Sequence, residues 1–218
     1  MKQSVKRTIW ILFPIFFFIF GSQGVAGSLK DSESASHSDA ASTYDIVDTY
    51  AYPGFRIIQF NLAVLSHYSY LLISEKQALV IDPGRDIFKY LETAEKEGVV
   101  IKGILLTHSH ADFVAGHTEL AKKVGCPVYI SARADAGYPH TPLKDGSVIP
   151  VGGIELKVLE TPGHTLDCTT AIVYGTDGKK PEAAFTGDTL FVGSVGRPDL
   201  MGRFFCRFKC GWRRESRF

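Results

Sequence analysis

The stretch Val99-Val100-Ile101-Lys102-Gly103-Ile104-Leu105-Leu106, running straight into Thr107-His108-Ser109-His110-Ala111-Asp112, decides how this chain is read. The apolar, β-branched run predicts a buried strand, and the polar run places two imidazoles and a carboxylate at its end. His108 and His110 are two residues apart, so an extended segment presents both on one face. Two His and an Asp within six residues of an apolar strand have no packing rationale. They point to ligand chemistry.

The same strand-then-motif pattern recurs on both sides. Glu155–Glu160 leads into Thr161-Pro162-Gly163-His164-Thr165, where Pro and Gly hold the His in a rigid turn. Ala183–Phe185 leads into Thr186-Gly187-Asp188-Thr189, and Ala78–Ile81 into Asp82-Pro83-Gly84. Motifs delivered at strand ends can converge at one edge of a sheet. Imidazole and carboxylate together favour zinc, iron or manganese over a thiolate-type site. His67, His117 and His140 stand alone in the sequence and read as surface or satisfied residues; His37 reads as solvated.

Further strands are expected at Phe55–Phe60, Ala63–Ile73, Pro127–Ile130 and Thr169–Tyr174. Helical spacing of Ile87, Tyr90, Leu91 and Ala94 predicts a helix over Asp86–Glu97 stopped by Gly98, and a second covers Thr118–Val124, closed by Gly125. Strands interleaved with short helices imply an α+β domain of layered sheets with helices outside.

His-x-His-x-Asp, then Pro-Gly-His, then Gly-Asp, each after a strand, resembles the metallo-β-lactamase superfamily. That resemblance implies an αββα sandwich over residues 55–200, and it gives Asp82 a supporting role behind the metal rather than on it. Within the superfamily, Thr107–Phe113, Phe185-Thr186-Gly187-Asp188-Thr189-Leu190-Phe191 and Gly196-Arg197-Pro198-Asp199-Leu200 are similar to the persulfide dioxygenases, nearest the rhodanese-associated type. Tyr138-Pro139-His140 and Lys144-Asp145-Gly146 fit the same branch.

Phe113 narrows the expectation. Two-metal hydrolases of the superfamily, glyoxalase II among them, carry His directly after the Asp, as a ligand for the second metal. A phenyl ring cannot coordinate, which favours one metal per chain. The resemblance makes His108, His164 and Asp188 the ligands of an Fe(II), a two-His, one-carboxylate set. His110, also counted as a metal residue, and Asp112 then lie beside the metal and orient water or substrate. Arg197 holds a substrate carboxylate or braces Asp199. The implied reaction is oxidation of a low-molecular-weight persulfide, such as glutathione persulfide, by O₂ to sulfite. The alternatives are a glyoxalase II-like thioester hydrolase, for which zinc is the expected metal, and an inactive truncated fragment.

The two ends read differently from the body. Lys2, Lys6 and Arg7 precede twelve apolar residues, Ile9–Phe20, and then small residues up to Val25-Ala26-Gly27. This predicts a signal peptide over 1–27 and an exported protein. Twelve residues span only about 18 Å as a helix, against about 30 Å of hydrocarbon, so a membrane tether is expected only if the signal stays uncleaved. Residues 28–54 read as a Ser/Ala-rich linker. Residues 28–200 carry 15 basic and 22 acidic residues, and an acidic body excludes a nucleic-acid partner. Residues 201–218 carry six basic residues and one acidic, with Cys206 and Cys210 among several Phe. This tail is expected to be foreign to the fold, as after a frame shift, with the C-terminal part of the domain missing. Cys126 and Cys168 read as small buried core residues.

Overall fold

The computed structural model describes residues 45–62, 65 and 67–199. The expected signal peptide, residues 28–44 and the basic tail therefore lie outside the described residues. Two sheets make up most of the structure. The larger is built from β1 (Asp45–Tyr52), β2 (Phe55–Leu62), β3 (His67–Ser74), β4 (Gln77–Ile81), β5 (Val100–Leu105), β6 (Val128–Ser131) and β7 (Thr141–Leu143), in that spatial order. Strands β1 to β4 form an antiparallel meander, whereas β4 to β7 run parallel. Helix α1 (Phe88–Lys96) makes the crossover from β4 to β5, and α2 (His117–Val124) that from β5 to β6. The smaller sheet is antiparallel, with order β11 (Pro181–Phe185), β10 (Thr169–Tyr174), β9 (Ile154–Glu160) and β8 (Val148–Val151).

The central strands of the larger sheet are apolar without a break because both of their faces are covered. Alternate side chains enter different cores. Leu71, Ile73, Ala78, Val80, Ile104 and Leu106 join Tyr90, Ala94 and Leu120 of the two helices on one side. Leu72, Leu79, Ile81 and Leu105 turn the other way and meet Ile149, Leu156, Val158, Ala171 and Val173 of the smaller sheet. The result is a helix–sheet–sheet stack, an α+β arrangement as expected. Among the described residues both α-helices lie on the same face of the larger sheet. None of the helices described is long and apolar enough to cross a membrane.

The helices follow their sequence signals closely. Gly98 and Gly125, both with positive φ, stand where the two helices stop, and the Gly125 N–H closes α2 on the Ala121 carbonyl at 2.8 Å. Tyr90 does more than fill space. Its hydroxyl accepts the Gly84 N–H at 2.9 Å and pairs with Ser69 Oγ at 2.6 Å, fastening the turn that follows β4.

The domain boundary expected at residue 55 is corrected. Strand β1 occupies 45–52, inside the stretch read as linker, and pairs with β2 along its length. It is an edge strand with mostly exposed side chains, so it lacks the alternation that marks a half-buried strand. The short strands β7 and β8, and the small hairpin of β12 (Leu190–Phe191) and β13 (Ser194–Val195), also have no clear sequence signal.

Leu79 is 1% exposed in the core between the sheets. Leu79→Ala is expected to lower unfolding stability by about 2–5 kcal/mol in a urea titration; a loss below about 1 kcal/mol would show a core able to collapse around the gap.

Candidate metal centre

Everything at the centre starts from the adjacent ends of β4 and β5. Asp82 follows β4 with φ 49°, a left-handed conformation that Asp tolerates, and its N–H bonds the Leu105 carbonyl at 2.9 Å. Its side chain is buried. Oδ1 accepts the Thr107 N–H at 2.8 Å, and Oδ2 accepts the Thr107 hydroxyl, also at 2.8 Å. His110 Nε2 adds a third contact to Oδ1 at 3.0 Å. Burial alone would raise the Asp82 carboxyl, but the charges and hydrogen bond of the neighbouring His110, with His108 and Thr107, outweigh it and hold the group below the usual carboxylate range.

This arrangement sets the protonation pattern of His108. The Thr107 hydroxyl donates its only hydrogen to Asp82, so at 3.1 Å from His108 Nδ1 it can only accept. Nδ1 therefore carries the proton, and Nε2 keeps a lone pair for a metal. Burial, then the nearby His110 charge, push the His108 pKa down, which favours the neutral ligating form.

His164 and Asp188 arrive from the smaller sheet. His164 sits in the turn after β9, where the Thr161 N–H bonds the Cys168 carbonyl at 2.9 Å and the Gly163 N–H bonds that of Thr165 at 3.0 Å. Asp188 lies in a 3-10 turn, Gly187–Thr189, just after β11. Two glycines let this segment approach. Gly187 has φ 48°, and a Cβ there would lie 2.4 Å from Thr107 Oγ1; at Gly196 it would lie 1.7 Å from the Asp188 carbonyl oxygen. His164 Nε2 and Asp188 Oδ2 are 3.3 Å apart, and the His108 and His164 rings meet edge to face with centroids 5.2 Å apart.

His108, His164 and Asp188 can each offer one ligand atom, all within 4.8 Å of one another. Two imidazoles and a carboxylate converging from three loops, without a thiolate, suit a borderline divalent metal such as iron(II) or zinc. The residues fit a metal.

Other candidates fall into place around this group. His110, expected as a ligand as well as a catalytic group, is not among the three residues whose ligand atoms converge; its Nε2 lies 3.0 Å from Asp82 Oδ1. Its ring lies 4.2 Å from that of His108, centroid to centroid, so it remains beside the centre. Burial lowers its pKa, but the Asp82 carboxylate, helped by Asp112 and Asp188, reverses the sign and leaves it raised. Asp112 is exposed at the rim. Arg197 braces Asp199 in an exposed two-pronged ion pair, Nη2–Oδ2 at 2.8 Å and Nε–Oδ1 at 3.2 Å.

Two histidines that stand alone in the sequence, His67 and His117, pack against aromatic rings. The His67 ring lies 3.9 Å from that of Phe113 and 6.0 Å from that of His110, and burial pushes its pKa to about 4. The His117 ring lies tilted against that of Tyr138, centroids 4.6 Å apart, and burial followed by the His110 charge lowers its pKa. His67 lies more than forty residues before the His-x-His-x-Asp run, so only long-range packing could reveal its place. Cys126 and Cys168 are free; the first is half-buried and the second buried.

Comparison with known proteins bears on this geometry. A family model described as the metallo-beta-lactamase superfamily matches residues 62–216. A hydroxyacylglutathione hydrolase of Methylobacillus flagellatus is 37% identical over 145 residues, covering 66% of this chain and 54% of that protein. Among solved structures, a metallo-beta-lactamase from Staphylococcus aureus subsp. aureus COL aligns with a TM-score of 0.65 and 37% identity, over 68% of this chain and 47% of that one. ETHE1 from Myxococcus xanthus aligns with a TM-score of 0.59 and 29% identity, over 66% of this chain and 61% of that one. The chain spans about half the length of the curated relatives it matches.

Thr107→Val keeps the shape but removes the hydroxyl between Asp82 and His108. Metal affinity, measured by competition with a chromogenic chelator, is expected to fall about 10–100-fold. An unchanged affinity would mean that His108 is oriented by something other than this hydroxyl.

Proposed function

The chain belongs to the metallo-beta-lactamase superfamily, and we propose that it serves a mononuclear iron persulfide dioxygenase activity on a low-molecular-weight persulfide such as glutathione persulfide. The observation that carries the proposal is the converging group of His108, His164 and Asp188 beside Phe113. Two imidazoles and one carboxylate leave metal positions open, the arrangement associated with non-haem Fe(II) oxygenases. When bound there, iron(II) would supply oxygen activation and an open position for sulfur.

Phe113 supports a single metal. Its ring packs between His67 and His110, at centroid distances of 3.9 and 4.5 Å. Where a two-metal hydrolase of this superfamily presents an imidazole, this chain presents a phenyl ring with no ligand atom for a metal. His110 and Asp112 are the groups placed to orient a water or the persulfide through hydrogen bonds. His110 is fixed by Asp82, while the exposed Asp112 is free to face a bound molecule. Arg197 acts through its grip on Asp199 rather than as an open carboxylate receptor. The overall reaction consumes one persulfide, one O₂ and one water, and yields the thiol and sulfite with two protons. The outer sulfur is oxidised and O₂ is reduced.

A second reading has its own support. The curated relatives compared here carry the name hydroxyacylglutathione hydrolase, which favours thioester hydrolysis with a Lewis-acid metal such as zinc. Both readings share a small-molecule thiol derivative and the same three ligands. They part on redox chemistry.

Chain purified anaerobically with Fe(II) is expected to hold about one iron per chain and to consume O₂ with glutathione persulfide, leaving S-lactoylglutathione intact. Thioester cleavage without O₂ uptake would favour the hydrolase. His164→Ala should remove both iron and O₂ uptake, and retention of either would refute its place in the ligand set. Phe113→His should raise the zinc content on reconstitution from one toward two per chain, as read by elemental analysis.

A further inference from the structure

His108 is gripped on both sides by the start of β10. The Thr107 carbonyl accepts the Thr169 N–H at 2.8 Å and the Thr169 hydroxyl at 3.0 Å. On the other side, the Ser109 N–H and the Ser109 hydroxyl both donate to Asp167 Oδ2, each at 2.7 Å. Asp167 is only 4% exposed and stands three residues after His164.

We propose that Asp167 is a positioning residue of the metal centre, holding the His108 loop of one sheet against the His164 loop of the other. The inference rests on the reading of His108, His164 and Asp188 as metal ligands. The reasoning is geometric. The ligand atoms come from two sheets joined across a packed apolar interface, whose attraction is non-directional and does not by itself set ligand-atom distances to a fraction of an ångström. Metal ligation demands such a distance. Hydrogen bonds to a carboxylate are short and directional, and two of them converge here on one oxygen from the residue next to His108. The partners are 58 residues apart in sequence, so the bond ties together segments that nothing local would align. Burial raises the Asp167 carboxyl, but the bonds from Thr165 and Ser109 outweigh it and leave the group below the usual carboxylate range, consistent with an ionised acceptor. Asp167 touches neither substrate nor reacting atoms; its effect runs through His108 and His164.

The test is a Co(II) titration of the metal-free full chain, followed through the visible absorption bands of the bound ion, with the thermal midpoint of the metal-free protein recorded alongside. Asp167→Ala is expected to weaken Co(II) binding about 10–100-fold and to shift the visible band, because the two ligand loops lose their tie. Asp167→Asn keeps an oxygen able to accept both Ser109 bonds, so its affinity should stay within about threefold of the parent. Ser109→Ala keeps the N–H bond alone and should fall between the two. A purely structural residue would lower the thermal midpoint and leave the affinity and band of the folded protein unchanged, which would overturn the proposal. Equal losses in the Asn and Ala variants would also overturn it, since charge rather than the tie would then be at work. Should Asp167→Ala fail to fold, Ser109→Ala decides, and parent-like Co(II) affinity there refutes the idea. A parent chain that binds no Co(II) fails the metal-centre reading itself, whereas parent binding with unaffected variants fails only this inference.

Discussion

A buried negative charge organises this structure. The Asp82 carboxylate lies in the interior, where an unpaired charge would be strongly destabilising, and it is stable there only because Thr107 gives it two hydrogen bonds and His110 a third. Meeting that requirement locks the end of β4 to the end of β5. It also turns the Thr107 hydroxyl so that it can only accept from His108, leaving the other His108 nitrogen bare toward the candidate metal position. One carboxylate thus fixes a loop, a tautomer and the orientation of His110 together.

Around this point the two sheets divide the work. The larger supplies His108, with Asp82 and His110 behind and beside it; the smaller supplies His164 and Asp188. The centre therefore exists only where the sheets meet, and it depends on close backbone approach. Gly187 lies against Thr107, and Gly196 against Asp188, with no room for a side chain at either position. A site assembled across two packed layers inherits their rigidity, which suits a function needing fixed ligands with open positions. Phe113 places an apolar ring beside His110, 4.5 Å away between centroids.

Much of this was legible in the sequence because it is local. Unbroken apolar runs such as Ala78–Ile81 marked strands covered on both faces, and the spacing of Ile87, Tyr90 and Ala94 marked the buried stripe of α1. The strand β1 was not legible, because an edge strand with exposed side chains carries no alternation, and its partner β2 alone defines it. Asp167 was equally hidden. Nothing in Thr165-Leu166-Asp167-Cys168 announces a carboxylate aimed at Ser109, 58 residues earlier.

The sequence by itself determined the chemistry available: two histidines and an aspartate at the ends of strands, and a phenyl ring where a further ligand would stand. Those are properties of residue type and short-range spacing. Tertiary structure is what brings three of these side chains together: His108, His164 and Asp188 place ligand atoms within 4.8 Å of one another. His110 hydrogen-bonds Asp82 through Nε2, while His164, more than fifty residues away, is brought to a centroid distance of 5.2 Å from the His108 ring. It also placed His67 beside His110, their ring centroids 6.0 Å apart, although His67 had read as an isolated residue. The physical reason is that coordination depends on distance in space, and distance between loops of different sheets is set by core packing and a few buried hydrogen bonds.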